Sequence, residues 1–274
     1  MINNRVSFIG GGNMARAIAG GLLRGGMHPT DLFVAEPRAD QCELLRSELY
    51  GAMVSQDNHA VVERSEVLVF AVKPQILKTV CCDLAALTQR VRPLVMSIAA
   101  GPRIADIDTW LGGGHSVVRV MPNQPALIDQ GISALIANER ATADERSLAE
   151  AIMSAVGEVV WVENERDIDA VTAVSGTGPA YFYLLIDVMI EAATRYGLDP
   201  VVARKLAVET ARGATGLAAA ETESMAEMIE RVRSPGGTTT AAFEYLDDAD
   251  VRGIFAQAIE AARQRAAELA AADD

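Results

Sequence analysis

The apolar run Val6 to Ile9 breaks into Gly10-Gly11-Gly12-Asn13-Met14-Ala15, and helical spacing of apolar residues follows from Met14 to Leu23 before Gly25-Gly26 stops it. A strand that turns through glycine straight into a helix is the opening unit of a parallel α/β sheet. The pattern fits G-x-G-x-x-A. Gly10 permits the tight turn, Gly12 lets the backbone come close to a pyrophosphate, and Ala15 keeps the helix near the sheet. The unpaired N–H groups of the first turn then face an anion. An ordinary βα turn would also account for the glycines, but the strand before and the helix after favour dinucleotide binding, with Gly10, Gly12, Asn13 and Met14 as contacts.

The alternation continues along the chain. Strand candidates are Leu32 to Ala35, Val67 to Val72, Leu94 to Ala99 and Val117 to Val120. The helices between them are centred on Glu43 to Leu49, Gln75 to Leu87 and Ile104 to Leu111. Nearly continuous β-branched runs indicate strands covered by helices on both faces. Ile132 to Ile136 and Val159 to Val162 complete the sheet around a helix from Ala143 to Val156, with their direction left open. Beyond about Asp167 the chain is Ala-rich and helical without a convincing strand. The expected fold class is therefore α/β: a doubly wound Rossmann-type domain over residues 1–165, then an all-α domain over 166–274. Helix starts are marked by Pro179, by Asp199-Pro200, by the capping-box pair Ser224 and Glu227, and by Asp250.

At the end of the second strand, Glu36 offers a carboxylate to ribose hydroxyls, which favours NAD, while Arg38 offers a guanidinium to the 2′-phosphate of NADP. The excess of 37 acidic over 24 basic residues, net −13, opposes a nucleic-acid partner. No apolar run near the roughly 20 residues of a membrane span is expected, nor a signal peptide, so the location expected is cytoplasmic. Cys42, Cys81 and Cys82 lack metal spacing and read as packing residues. His28, His59 and His115 are scattered, so no metal is expected.

Five segments together resemble the pyrroline-5-carboxylate reductase family almost end to end: Phe8-Ile9-Gly10-Gly11-Gly12-Asn13-Met14, Ala71-Val72-Lys73-Pro74-Gln75, Arg119-Val120-Met121-Pro122-Asn123, Ser175-Gly176-Thr177-Gly178-Pro179-Ala180-Tyr181 and Ser234-Pro235-Gly236-Gly237-Thr238-Thr239. Thr177 stands where the family often has Ser, which keeps a hydroxyl. The resemblance implies NAD(P)H-dependent reduction of L-1-pyrroline-5-carboxylate to proline by a chain with a helical dimerisation domain; Arg38 favours NADPH, NADH being the alternative, and the apolar stretches Tyr181 to Ile190 and Ala214 to Ala220 favour a homodimer or an assembly of dimers. It also implies that Asn58 contacts the adenosine ribose and that Ala71, Val72, Lys73 and Pro74 border the nicotinamide. Ala99, Ala100, Gly101, Met121, Pro122 and Asn123 would complete that cleft. Ser175, Thr177, Ser234, Gly236, Gly237, Thr238 and Thr239 would bind substrate, with Thr239 catalytic.

Read without the family, Ser234 to Thr240 is a loop of glycines and hydroxyls before a helix from Ala241, suited either to holding a carboxylate or to capping an interhelical turn. Two other functions remain open. A β-hydroxyacid dehydrogenase resembles this layout but uses a Lys on an early helix of the second domain; Pro179 to Ala193 has none, and the first is Lys205. A non-catalytic dinucleotide sensor would bind coenzyme without consuming it when the imine is added.

Overall fold

The computed structural model describes residues 2–271. Contacts divide the chain into two units, one running through Gly176 and rejoined from Ala262 onward, the other Thr177–Ala261. The sequence puts the boundary at 165, but α7 (Asp167–Val171) and the π-helical turn Thr172–Gly176 bury Ile168 and Ala173 in the first unit.

The first unit is built on eight strands: β1 (Val6–Ile9), β2 (Leu32–Ala35), β3 (Met53–Ser55), β4 (Val67–Phe70), β5 (Leu94–Ser97), β6 (Val117–Met121), β7 (Gly131–Ala137) and β8 (Gly157–Trp161). Their order is β3-β2-β1-β4-β5-β6-β7-β8. The first six are parallel, β7 runs antiparallel to β6, and β8 is parallel to β7. The order reverses direction between β1 and β4, the place where a doubly wound sheet opens a crevice.

Helices α1 (Asn13–Arg24), α2 (Ala39–Glu48), α3 (Asn58–Val62), α4 (Pro74–Val91), α5 (Ile104–Trp110) and α6 (Ala143–Ser154) lie among these strands in the chain. Successive side chains of one strand enter opposite cores: Phe8 and Val34 join Ile18, Leu22 and Ile152, whereas Ile9 and Phe33 join Leu77, Leu84 and Ile107. Burial on both faces is why these strands read as apolar runs rather than alternating ones. The element unread from the sequence is β3 with α3, a three-residue edge strand whose side chains are only half-buried. Cys42 and Cys81 are core residues; burial raises the Cys42 thiol and pushes Cys81 up to about 12, while Cys82 is exposed and so departs from the packing role expected of it.

The second unit contains α8 (Gly178–Arg195), α9 (Pro200–Ala220), α10 (Met225–Val232), α11 (Thr238–Asp248) and the start of α12 (Val251–Ala271). The Asp199 carboxylate accepts from the N–H groups of Val201 and Val202, and Ser224 with Glu227 forms the expected capping box. Little of this unit is buried. Only Gly178 of α8 is buried, while Phe182, Tyr183, Leu184, Leu185 and Val188 are exposed. The helical run Asp167–Arg195, 29 residues, is long and apolar enough to cross a bilayer by length and composition. That corrects the sequence expectation, because the helix continues from α7 through the π turn into α8 and no single short run reveals its length.

His115, after the glycine-rich turn that follows α5, is 2% exposed, and neither ring nitrogen reaches hydrogen-bond geometry with a partner among the described residues. Burial lowers its pKa, as does Arg92, against the Thr88 carbonyl and the Asp108 carboxylate, which lies 3.7 Å from Nδ1 and is itself paired with Arg140. The unfolded chain therefore takes up a proton that the folded chain refuses. Stability is full above pH about 6.5 and declines as pH falls toward the lowered pKa. Between pH 7.5 and 5.5 this one group should remove up to about 1.4 kcal/mol. Urea unfolding at fixed protein concentration should show a smaller decline for His115→Phe than for the wild type; equal declines would mean that His115 protonates as readily folded as unfolded.

Candidate active site

The three glycines of the loop sit in three different surroundings. Gly10 has φ +99°, and a Cβ there would sit 2.6 Å from the Ala71 carbonyl oxygen, so the backbones at the ends of β1 and β4 touch. A Cβ on Gly11 would sit 2.4 Å from Cδ1 of Leu45, beneath α2. Gly12 differs: it is exposed, and nothing lies within 4 Å of where its Cβ would be. Gly12 also precedes α1, whose start carries no side-chain cap and no acidic residue in its first turn. Ala15, 2% exposed, seats that turn on the core. An open glycine beside uncapped N–H donors fits a pyrophosphate. Asn13 is exposed and Met14 half-buried at the same turn.

The β2 end departs from the simplest expectation. Glu36 is buried, and its Oε2 accepts from the Gly11 N–H at 3.1 Å while Oε1 accepts from the N–H and Nε of Arg38, each at 3.2 Å. Its carboxylate faces the protein. The Arg38 side chain is 63% exposed. Gln41, which sequence reasoning passed over, donates from Nε2 to the Gly11 carbonyl at 2.9 Å. A polar residue in a first helical turn carries no signal of such a role.

The remaining coenzyme candidates gather at the carboxyl ends of the parallel strands, where Ile9 pairs with Ala35 and Phe70, and Phe70 with Ser97. Ala71 and Val72 adjoin Gly10, and Lys73 is exposed ahead of Pro74 at the start of α4. Asn58 opens α3, half-buried. Ala100 is half-buried, whereas Ala99 and Gly101 are buried, and a Cβ on Gly101 would meet the Leu269 carbonyl at 3.2 Å. Met121 ends β6 and lies where a Cβ on Gly176 would be 2.6 Å from its Cε; Pro122 is buried beside it. The Asn123 amide donates to the Ser175 carbonyl and accepts from the Ile132 N–H, so it braces the rim between β7 and the π turn. Ser175 donates its hydroxyl to the Val171 carbonyl.

In the second unit, α11 starts at Thr238 rather than Ala241, so Thr238, Thr239 and Thr240 form its first turn. The sequence expectation of a loop there is corrected by Gly237, whose extended backbone ends the turn and opens the helix. Gly236 sits at φ +71°, the Gly237 N–H donates to the Ser234 carbonyl at 2.9 Å, and the Thr240 hydroxyl donates to the same oxygen at 2.7 Å. That leaves the amides of the first turn and the half-buried Thr239 at an uncapped helix start. Thr177 immediately precedes α8.

Residues 165–269 match the family described as pyrroline-5-carboxylate reductase dimerisation, and residues 5–101 match one described as NADP oxidoreductase coenzyme F420-dependent. A pyrroline-5-carboxylate reductase from Pseudomonas aeruginosa is 42% identical over 270 residues, covering 98% of both chains. The chain belongs to the pyrroline-5-carboxylate reductase family. Among solved structures, the reductase from Coxiella burnetii is 38% identical with a TM-score of 0.91, covering 98% of this chain and 99% of its own. The Plasmodium falciparum pyrroline carboxylate reductase, solved with NADP bound, is 25% identical with a TM-score of 0.88 over 98% of this chain and 99% of its own. These matches span both units of this reductase-family chain, so the likeness is not confined to the shared glycine turn.

The two outer glycines should fail in different ways. Gly10→Ala should destabilise the fold by about 1 to 3 kcal/mol, through positive φ and the clash with Ala71. Gly12→Val should leave urea stability nearly unchanged but weaken NADP+ binding by calorimetry. Equal stability losses in both variants would contradict the assignment of Gly12 as the open face.

Proposed function

We infer that this chain catalyses NADPH-dependent reduction of L-1-pyrroline-5-carboxylate to L-proline, acting as a soluble cytoplasmic homodimer. The observation that carries the reading is the full-length match to named reductases together with a glycine loop that leaves Gly12 open to a pyrophosphate. A reduced nicotinamide bound at that edge supplies the hydride. The ring C=N becomes C–N, the hydride joining the carbon while the protonated nitrogen loses its positive charge. Neither a metal nor an oxyanion hole is needed for a step that removes charge.

The chain's task is then to bind and orient. Gly10, Gly12, Asn13 and Met14 hold the pyrophosphate, Asn58 the adenosine ribose, and Arg38 the 2′-phosphate. Ala71 to Pro74, Ala99 to Gly101 and Met121 to Asn123 form the nicotinamide side. The first-turn amides of α11 suit a carboxylate. Ser175, Thr177, Ser234 and Gly236 to Thr239 are assigned to substrate, and Thr239 to the imine nitrogen, where its hydroxyl holds or relays the proton.

Thr239→Val nearly preserves shape but removes the hydroxyl. Turnover, followed as NADPH absorbance at 340 nm, should fall on the order of tenfold to a hundredfold, about 1.4 to 2.7 kcal/mol, and more than substrate affinity. Unchanged kinetics with normal NADPH binding would reduce Thr239 to a helix-start residue.

The dimer reading rests on the dimerisation match and on the uncovered apolar residues of α8. The same match favours protein over lipid as the cover for α8, which supports the soluble reading despite its span-like length. Sedimentation velocity should give a dimer or a multiple of it, and Leu184→Glu should shift the protein toward monomer; a wild-type monomer at every concentration would refute it.

A further inference from the structure

We propose that Glu36 and Gln41 are positioning residues for coenzyme selection, closing with Gly11 and Arg38 a hydrogen-bonded ring that ties the 2′-phosphate-binding arginine to the pyrophosphate loop. The proposal rests on the dinucleotide reading above. The ring runs from the Gly11 N–H to Glu36 Oε2 at 3.1 Å, and from Glu36 Oε1 to the Arg38 Nε at 3.2 Å. It continues from Arg38 Nη2 to Gln41 Oε1 at 3.4 Å and returns from Gln41 Nε2 to the Gly11 carbonyl at 2.9 Å. Both backbone polar groups of Gly11 are thus held by side chains, one from Glu36 after β2 and one from Gln41 in the first turn of α2.

Three consequences follow from this geometry. An acidic residue at this place selects NAD by accepting both ribose hydroxyls, which requires lone pairs turned toward the ligand. Glu36 is only 9% exposed at its side chain and spends both oxygens on Gly11 and Arg38, so it no longer selects for the free diol. Arg38 keeps its Nη1 without a partner among the described residues, on a side chain that is largely exposed, and a 2′-phosphate dianion is the chemistry that such a donor recognises. Finally, Glu36 at Nε and Gln41 at Nη2 hold one edge of the Arg38 guanidinium, which leaves Nη1 on the other side. The guanidinium is therefore pre-oriented, and losing either grip returns rotamer freedom that binding must remove again.

The pair also couples the two phosphate subsites. A residue that touched only the 2′-phosphate would affect one coenzyme; these residues bear on Gly11 as well. Gln41 is half-buried on the surface of α2, so its removal should not unfold the chain.

The test measures calorimetric affinities of NADP+ and NAD+, and of adenosine 2′,5′-bisphosphate against AMP, which probe the adenosine end without any turnover. The full-length wild type should favour the 2′-phosphorylated ligand of each pair. Gln41→Leu, with Gln41→Met as a second variant should the first fold poorly, should cut that preference by roughly three- to tenfold. In an Arg38→Ala background, which itself lowers the preference, the same Gln41 substitution should change it no further. The proposal is overturned if Gln41→Leu keeps the wild-type preference, if the drop is equally large without Arg38, or if the wild type binds both ligands of a pair alike. Should the wild type bind neither dinucleotide, the underlying coenzyme reading falls with it.

Discussion

The backbone contact between Gly10 and Ala71 is the constraint on which the first unit depends. These residues follow β1 and β4, the pair between which the strand order changes direction. A Cβ on Gly10 would meet the Ala71 oxygen at 2.6 Å, so only glycine lets the chain turn there without pushing β4 away. The turn leads into α1, whose Ala15, Ile18 and Leu22 pack on the core. An uncapped helix start and a crevice between diverging connections come from the same close approach. Gly11 is held as tightly on the other side, by α2, and only Gly12 is left facing open space. The loop's three glycines therefore differ: Gly10 takes a positive φ against the Ala71 backbone, Gly11 a close packing contact, and Gly12 neither.

The second unit solves a different problem. Asp199 and Ser224 cap α9 and α10, yet α10 and α11 bury no residue and α9 buries only Ala203 and Ala207. Tyr181 and Phe255 meet edge to face, with ring centres 6.3 Å apart, and Arg233 lies over the Phe243 ring, but such contacts do not make a core. The apolar side chains of α8 lie uncovered within the unit, in the segment that matches the dimerisation family. The unit's candidate substrate loop, by contrast, is internally organised, because the Ser234 carbonyl takes both the Gly237 N–H and the Thr240 hydroxyl.

The sequence by itself determined the alternation of strands and helices through residue 121, the glycine turn, the helix caps at Asp199 and Ser224, and the family. These are local: apolar period, turn residues and motif spacing all act over a few positions. It did not carry the short β3 edge strand, whose three residues give no periodicity, nor the direction of β7 and β8, which follows from how the chain returns rather than from what it contains. The unbroken helical run from Asp167 through the π turn was likewise hidden, because hydrogen bonding across Thr172 to Gly176 joins segments that look separate.

Tertiary structure alone decided which hydrogen bonds several motif residues make. Glu36 reads as a ribose acceptor, but the approach of α2 and Gly11 turns its carboxylate inward and leaves Arg38 as the outward group. Asn123 reads as a rim contact, yet its amide joins Ser175 to Ile132, residues far apart in the chain. Gln41 carried no motif at all and became part of the loop's support. A residue type and its neighbours fix which hydrogen bonds are chemically possible; which of them form depends on the partners that folding brings within about 3 Å, and those partners lie on other elements of the sheet.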